Sequence, residues 1–220
     1  GRRDLHSEDR LPVEVFTRPI SLFYNVLAAT EGMERVRCPD RSVEDPAATH
    51  GPAEAAGLVT GNRRRDIFPR KKGGTDVGNT KRGKGTKLML LVDANGIPVS
   101  TVTTAANEAE VNVIETLVDV QVADQRAKKL LYDKAADADW LRSALSRRDI
   151  ELICAHRKNR TRPKIQDGRS LRRIRHRWKV ERTISWLQNF RRLVVRHEYY
   201  SHICDGFVTL ACMLVVLKQF

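Results

Sequence analysis

The chain has 220 residues, of which 41% are hydrophobic and 30% are charged. This length and composition fit one substantial domain, and they exclude both a membrane-embedded protein and a wholly disordered chain. The formal net charge of +13 predicts an anionic partner, most simply the phosphates of a nucleic acid.

Residues 1–57 give the weakest pattern in the chain. A helix is predicted over residues 11–28, where apolar side chains recur every three or four residues: Val13, Phe16, Ile20, Phe23 and Leu27. Residues 38–57 mix Pro, Gly, Ala and acidic residues without a period, which is typical of a linker or a poorly ordered segment. We therefore expect a boundary near residue 58, with residues 58–220 forming one folded domain.

The next part of the chain favours antiparallel strands. Residues 58–60 and 67–68 are weak strand signals, and a loop rich in Gly and Lys is predicted over residues 71–85. Residues 86–92 and 97–104 are apolar or β-branched, and Asn95-Gly96 between them is a strong hairpin signal. We expect these two segments to pair as an antiparallel hairpin.

Helical and extended patterns alternate after the hairpin. A helix is predicted over residues 107–122 with Asn107 as its N-cap, a strand over 129–132, a helix over 137–146 and a strand over 150–155. After a basic loop, helices are predicted over residues 170–190 and 203–217. This alternation predicts an α/β fold with a mixed sheet flanked by helices.

The excess positive charge is concentrated in residues 157–196. This segment holds 15 basic and two acidic residues, a net charge of +13, so the rest of the chain is neutral. A disordered basic tail or a solvated helix face would also carry such charge. Because Trp178, Trp186 and Phe190 are interspersed with the basic residues, we favour a folded nucleic-acid-binding surface.

Two acidic residues are candidates for chemistry. Asp133 follows an apolar strand, and ligand sites form at the carboxyl ends of strands in α/β sheets. Glu181 lies within the basic helix, beside its apolar stripe. The alternatives are a turn cap for Asp133 and an ion pair with Arg177, four residues earlier, for Glu181.

The four cysteines, Cys38, Cys154, Cys204 and Cys212, are scattered without metal-ligand spacing, which is typical of reduced cytosolic thiols. The chain shows no apolar leader with a cleavage site, so we expect a cytoplasmic protein.

Several short motifs, in this order, resemble bacterial insertion-sequence transposases of the insertion sequence 5 group. The resemblance spans about residues 70–219 and is carried by Lys71-Lys72-Gly73-Gly74, Val92-Asp93-Ala94-Asn95-Gly96, Asp133-Lys134-Ala135 and Arg177-Trp178-Lys179-Val180-Glu181-Arg182. It implies an RNase H-like fold with a catalytic triad of two aspartates and one glutamate. That triad would hold Mg²⁺ (or Mn²⁺) for cutting and joining phosphodiesters.

The resemblance also assigns roles to individual residues. Asp133 matches the second catalytic aspartate and Glu181 the catalytic glutamate, whereas Asp93 matches a structural turn residue. The first aspartate is not clearly present, because ungapped counting places Arg64 at its position. Asp66 lies two residues later, on the same strand face. The predicted catalytic and metal-binding set is therefore Asp66, Asp133 and Glu181.

The basic residues of the matching segment imply a DNA surface. The predicted DNA-binding residues are Arg157, Lys158, Arg160, Arg177, Lys179, Arg182, Arg191 and Arg192. The partners would be element-end and target DNA, with association at the nucleoid, no membrane and room for a homo-oligomer. The missing first aspartate leaves two functions open, an active transposase or a truncated or degenerate copy that binds DNA without cutting it. A third alternative, an RNA-binding basic protein, explains the charge but not the paired acids.

Overall fold

The computed structural model describes residues 56–60, 66–81, 83–121, 127–166 and 168–218. The helix predicted over residues 11–28 and the linker after it lie outside these ranges, and the domain boundary near residue 58 stays a prediction. The described residues form a mixed α/β structure, which confirms the predicted fold class at that level.

Seven strands form one sheet in the described part of the chain. They are Ala56–Thr60 (β1), Ile67–Pro69 (β2), Gly78–Thr80 (β3), Gly83–Val92 (β4), Pro98–Ala105 (β5), Lys129–Leu131 (β6) and Glu151–Ile153 (β7). β4 is flanked by β1 and β2 along one edge and by β3 and β5 along the other, all antiparallel to it. β1 also pairs in parallel with β6, and β6 pairs in parallel with β7.

The β4–β5 hairpin forms as predicted, because Asp93 closes its turn. The Asp93 carboxylate accepts hydrogen bonds from the backbone N–H groups of Asn95 and Ile97, both at 2.8 Å. Gly96 follows with a φ of +89°, in the region that glycine adopts without strain. The interpretation of Asp93 as a structural turn residue agrees with this geometry.

Within the described ranges, five helices and three 3-10 turns connect and cover the strands. The helices are Glu110–Asp119 (α1), Asp139–Ser146 (α2), Gly168–Leu171 (α3), Trp178–Leu187 (α4) and Ser201–Leu217 (α5). The 3-10 turns are Lys134–Ala136, Arg172–Arg177 and Arg191–Leu193. No helix in the described ranges has the length and apolar content needed to cross a membrane.

Helices cover both faces of the sheet, and the side chains of β4 alternate between the two cores that result. Leu88, Leu90 and Val92 face a core shared with α4 and α5. Met89 and Leu91 face a second core shared with α1 and α2. Strands buried on both sides explain the continuous apolar runs in the sequence.

Three sequence-based expectations about elements are wrong: the loop over residues 71–85, the helix start at Asn107, and the continuous helix over residues 170–190. The loop predicted over residues 71–85 contains β3, whose residues pair with the start of β4. α1 begins at Glu110, and its N-cap is Ala109 without a side-chain hydrogen bond. Asn107 cannot cap it, because its side chain packs against the backbone of Gly78.

The continuous helix predicted over residues 170–190 is interrupted by the 3-10 turn Arg172–Arg177. Five of its six residues are Arg or His, and like charges three or four residues apart disfavour a regular α-helix. The 3-10 turn ends at Arg177, where α4 begins, and the Arg177 side chain lies beside Asp133.

Candidate active site and basic surface

Asp133 lies at the carboxyl end of β6 and uses its two carboxylate oxygens differently. Oδ1 accepts a hydrogen bond of 2.7 Å from the backbone N–H of Ala135, which caps the 3-10 turn Lys134–Ala136. Oδ2 lies 3.9 Å from Nη2 of Arg177. The capping alternative for Asp133 is therefore confirmed, and it leaves one oxygen for an ionic partner.

Arg177, the N-cap of α4, contacts this site, and Glu181 lies in the first turn of the same helix. The apolar face of α4, formed by Val180, Ile184 and Leu187, packs in the core beneath β4 and β6. Arg177 and Glu181 are four residues apart, so about 6 Å separates their Cβ atoms on one side of the helix. Arg177 is 13% exposed in its side chain, and its Nε is buried without a hydrogen-bond partner.

Asp66 lies at the start of β2, opposite Leu88 of β4, and its backbone oxygen accepts the Leu88 N–H at 2.7 Å. It is only 1% exposed. Leu88 faces the α4 side of the sheet, and Asp66, opposite Leu88, is on the same face. From the sequence, residue 66 is expected to share a strand face with position 64.

The strand registers indicate how far Asp66 lies from Asp133. Thr60 pairs with Leu90, so Asp66 is two register positions beyond Thr60 along the same edge of β4. β1 and β6 are paired in parallel, with Leu58 opposite Leu131. Continuing this register by two residues brings Asp133 beside Thr60. Strand spacings then place the Cα atoms of Asp66 and Asp133 about 8 Å apart.

The chemistry of these residues suits a hard cation only in part. Carboxylate oxygens are the donors that Mg²⁺ prefers, and one or two carboxylates completed by substrate phosphates are a common arrangement. Within the ranges that the structure describes, however, no three His, Cys, Asp or Glu side chains are grouped closely enough to hold a metal ion. A metal site formed by Asp66, Asp133 and Glu181 therefore stays a prediction.

Two of the predicted DNA-binding residues on α4 contact the protein's own hairpin turn. Lys179 Nζ donates to the carbonyl of Ala94 at 2.6 Å, and Arg182 Nη2 donates to the carbonyl of Asn95 at 2.7 Å. The Arg182 guanidinium is also stacked between Trp178 and Trp186, at 5.0 and 4.7 Å from the ring centroids. These contacts fix α4 on the sheet, and a role in DNA binding stays a prediction for both residues.

The predicted DNA-binding residues outside α4 differ in how much of their charge is free. Arg157 and Lys158 are exposed, but the Arg157 guanidinium donates to the carbonyls of Lys134 and Ala135. Arg160 is 10% exposed and pairs with two carboxylates. Arg191 and Arg192 are exposed within the last 3-10 turn, and Arg192 lies 3.7 Å from Glu198.

The sequence analysis missed a buried polar network on the opposite face of the sheet. Glu110 of α1 accepts a hydrogen bond of 2.7 Å from the Tyr132 hydroxyl and lies 3.6 Å from Lys87 Nζ. Burial raises the pKa of Glu110, although the hydrogen bond from Tyr132 and the charge of Lys87 lower it. A sequence signal was present, because Glu110 lies three and four residues before Val113 and Ile114 on the apolar side of α1.

A second missed residue is Asp137, four positions after Asp133. Its carboxylate is 1% exposed and contacts Arg142, His156 and Arg160 at 3.0 to 3.2 Å. Burial raises the pKa of Asp137, but hydrogen bonds from the Arg157 backbone, His156 and Arg142 outweigh it and lower the pKa to about 2. The carboxylate is therefore ionised across the physiological range.

Comparisons with known proteins support one family. The sequence model of the family described as "Transposase DDE domain" matches residues 49–216. A Burkholderia cepacia protein named as a transposase for insertion sequence element IS402 is 33% identical over 186 residues, covering 80% of this chain and 83% of that protein.

Proposed function

Because this chain belongs to the transposase DDE domain family, we propose that it is a DNA transposase that cuts the ends of an insertion element and joins them to target DNA. The observation that carries this proposal is the ion pair of 3.9 Å between Asp133 and Arg177, with Glu181 one helical turn away. It brings the end of β6 and the start of α4 together next to the basic segment. The mixed sheet with helices on both faces supports an RNase H-like fold for this domain.

Asp133 and Glu181 would hold Mg²⁺ or Mn²⁺ at this place, with Asp66 as a third carboxylate on the same face of the sheet. A bound divalent cation supplies an activated water or 3′-hydroxyl and stabilises the leaving oxygen of the phosphodiester. The protein's own residues orient the carboxylate oxygens and the DNA phosphate. The hydrogen bond from Ala135 fixes Oδ1 of Asp133 and directs Oδ2 towards α4. Arg177 supplies a guanidinium that matches a backbone phosphate.

The test is a nicking assay with the purified protein, element-end duplex DNA and Mg²⁺ or Mn²⁺. We expect Glu181→Gln to abolish nicking while DNA binding persists, because the variant removes a carboxylate and keeps the side-chain volume. Glu151→Gln, at an exposed position of β7, is the matched control and should nick at the wild-type rate. Undiminished nicking by Glu181→Gln would rule out this assignment of the site.

The structure also favours a second candidate, a transposase remnant that binds DNA without cutting it. In the described residues no three potential ligands are grouped closely enough to hold a metal ion. This candidate predicts duplex DNA binding with a steep salt dependence and no nicking at any concentration of Mg²⁺ or Mn²⁺. The same assay therefore separates the two functions.

A further inference from the structure

The buried carboxylate of Asp137 organises the basic loop, residues 156–166, that follows β7. Four groups converge on this carboxylate, namely the guanidinium groups of Arg142 and Arg160, Nδ1 of His156, and the backbone N–H of Arg157 at 2.8 Å. Three of the four belong to the loop. Because a buried charge is costly unless it is paired and hydrogen-bonded, this arrangement is strongly specified.

Further contacts attach the same loop to its surroundings. Arg160 Nη2 and Arg162 Nη1 both lie 2.7 Å from the Asp139 carboxylate. The Arg157 guanidinium donates to the carbonyls of Lys134 and Ala135, in the turn directly after Asp133. The three arginines of the loop are thus bound by the protein itself, and the loop is fixed beside Asp133.

The lysines of the loop have a different environment. Lys158 and Lys164 are exposed, and no carboxylate pairs with either ammonium in the part of the chain that the structure describes. A compact, hydrated ammonium on a flexible stem suits a phosphate contact at the surface. The loop therefore presents two exposed lysines on a backbone that three arginines hold in place.

We infer that Lys158 and Lys164 bind the DNA backbone next to Asp133, and that Asp137 is a positioning residue that presents them. Arg157 and Arg160, in contrast, hold the loop and do not bind phosphate. This inference rests on the proposed function only in taking DNA as the partner. It adds Lys164 and an acidic residue to the DNA-binding machinery.

The sign of the effect makes the inference testable. Removing an acidic charge from a DNA-binding protein should strengthen binding if the charge acts only through the overall field. If Asp137 positions the two lysines, Asp137→Asn should instead weaken binding, by about tenfold for two phosphate contacts at moderate salt. Asp119→Asn is the matched control, because Asp119 is exposed and pairs with the surface residue Arg148. The control should bind duplex DNA as tightly as the wild type or slightly more tightly.

The experiment measures binding of the full chain to a labelled element-end duplex over a series of salt concentrations. We expect Lys158→Gln and Lys164→Gln each to reduce the slope of log K against log salt by about 1. The control Lys218→Gln, at the C-cap of α5, should leave the slope unchanged. Limited trypsin digestion is the second readout. Cleavage after Lys158 and Lys164 should become faster in Asp137→Asn, because the loop loses its anchor.

The possible results separate this inference from the proposed function. If the wild type shows no salt-dependent binding to duplex DNA, the proposed function itself fails. If the wild type binds duplex DNA and Asp137→Asn binds it as tightly as the wild type or more tightly, as the control Asp119→Asn should, the positioning role is wrong. If Asp137→Asn does not fold, the two lysine variants decide, and wild-type salt slopes in both of them would overturn the inference.

Discussion

At the scale of single residues, Asp205 of α5 is the group whose environment most directly makes stability depend on pH. Its carboxylate accepts a hydrogen bond from the Thr103 hydroxyl. The pKa of Asp205 is raised to about 6, mainly by burial and also by Asp76, against the lowering effects of Thr103, Arg196 and His202. The folded state therefore prefers the protonated acid.

A carboxyl whose pKa is higher in the folded state stabilises the fold below its unfolded pKa, near 4, and loses that contribution as the pH rises through 6. We predict that Asp205→Asn becomes more stable relative to the wild type as the pH rises from 4 to 7, by up to about 3 kcal/mol. Urea unfolding of both proteins at each pH measures the difference. A difference that does not change with pH would contradict the environment described for Asp205.

Sequence reasoning selected Asp133 and Glu181 as candidates by position, because a strand end and an apolar stripe are visible in the sequence, and their catalytic role stays a prediction. It could not identify Asp137, because nothing in the pattern shows that His156 and Arg160, about 20 residues later, return to it. The same holds for Arg177, whose sequence-based partner was Glu181, four residues away. In the structure the Arg177 guanidinium lies 3.9 Å from the Asp133 carboxylate.

At the scale of elements, α4 is attached to the hairpin turn by the hydroxyl of Thr183. This hydroxyl donates to the carbonyl of Gly96 at 2.5 Å, and Thr183 is fully buried. We predict that Thr183→Val costs about 1–3 kcal/mol in the free energy of unfolding, because a buried carbonyl loses its donor. Denaturant unfolding measures this cost.

The matched control is Thr104→Val in β5. The Thr104 hydroxyl is buried without a hydrogen-bond partner. Replacing it by a methyl group should leave stability unchanged or raise it slightly, because an unsatisfied group is removed and valine favours strands. Equal losses in both variants would show that the methyl groups, and not the tie to α4, determine the result.

The elements that the sequence predicted well are those with strong local signals. β4, β5 and α5 have long apolar or β-branched runs, and the hairpin has Asn95-Gly96. β3 was missed because Gly78-Asn79-Thr80 has a low strand propensity, and the strand exists only through its pairing with β4. The 3-10 break before α4 was missed because apolar periodicity continues across it.

At the scale of the whole molecule, the two cores on either side of the sheet contain buried thiols. Cys154 lies in the α1–α2 core, and Cys204 and Cys212 lie in the α4–α5 core. Burial raises the pKa of Cys154 and Cys204 to about 11 and of Cys212 to about 12. These three thiols should be protonated and shielded in the folded protein.

We predict that a thiol reagent at pH 8 leaves these three cysteines unmodified in the native protein and modifies all of them in denaturant. Peptide mapping by mass spectrometry identifies each site. Fast reaction of Cys154 alone would show that the α1–α2 core is open. Fast reaction of Cys204 and Cys212 would show the same for the α4–α5 core.

The overall class, a mixed sheet between helices, could be predicted from the alternation of helical and extended patterns. The concentration of charge after β7 could be counted directly from the sequence. The sheet order did not follow, because nothing local requires β1 to pair with both β4 and β6.

The end of the sheet at β7 has a consequence for how copies of this chain behave at high concentration. The Gln166 amide donates to the carbonyl of Leu152 and accepts the backbone N–H of Cys154 at 3.2 Å, as an adjoining peptide group would. Arg142 donates to the same Leu152 carbonyl at 3.0 Å. With the Leu152 carbonyl and the Cys154 N–H already occupied, this border offers less of a template for pairing with another molecule, and fibril growth from it is disfavoured.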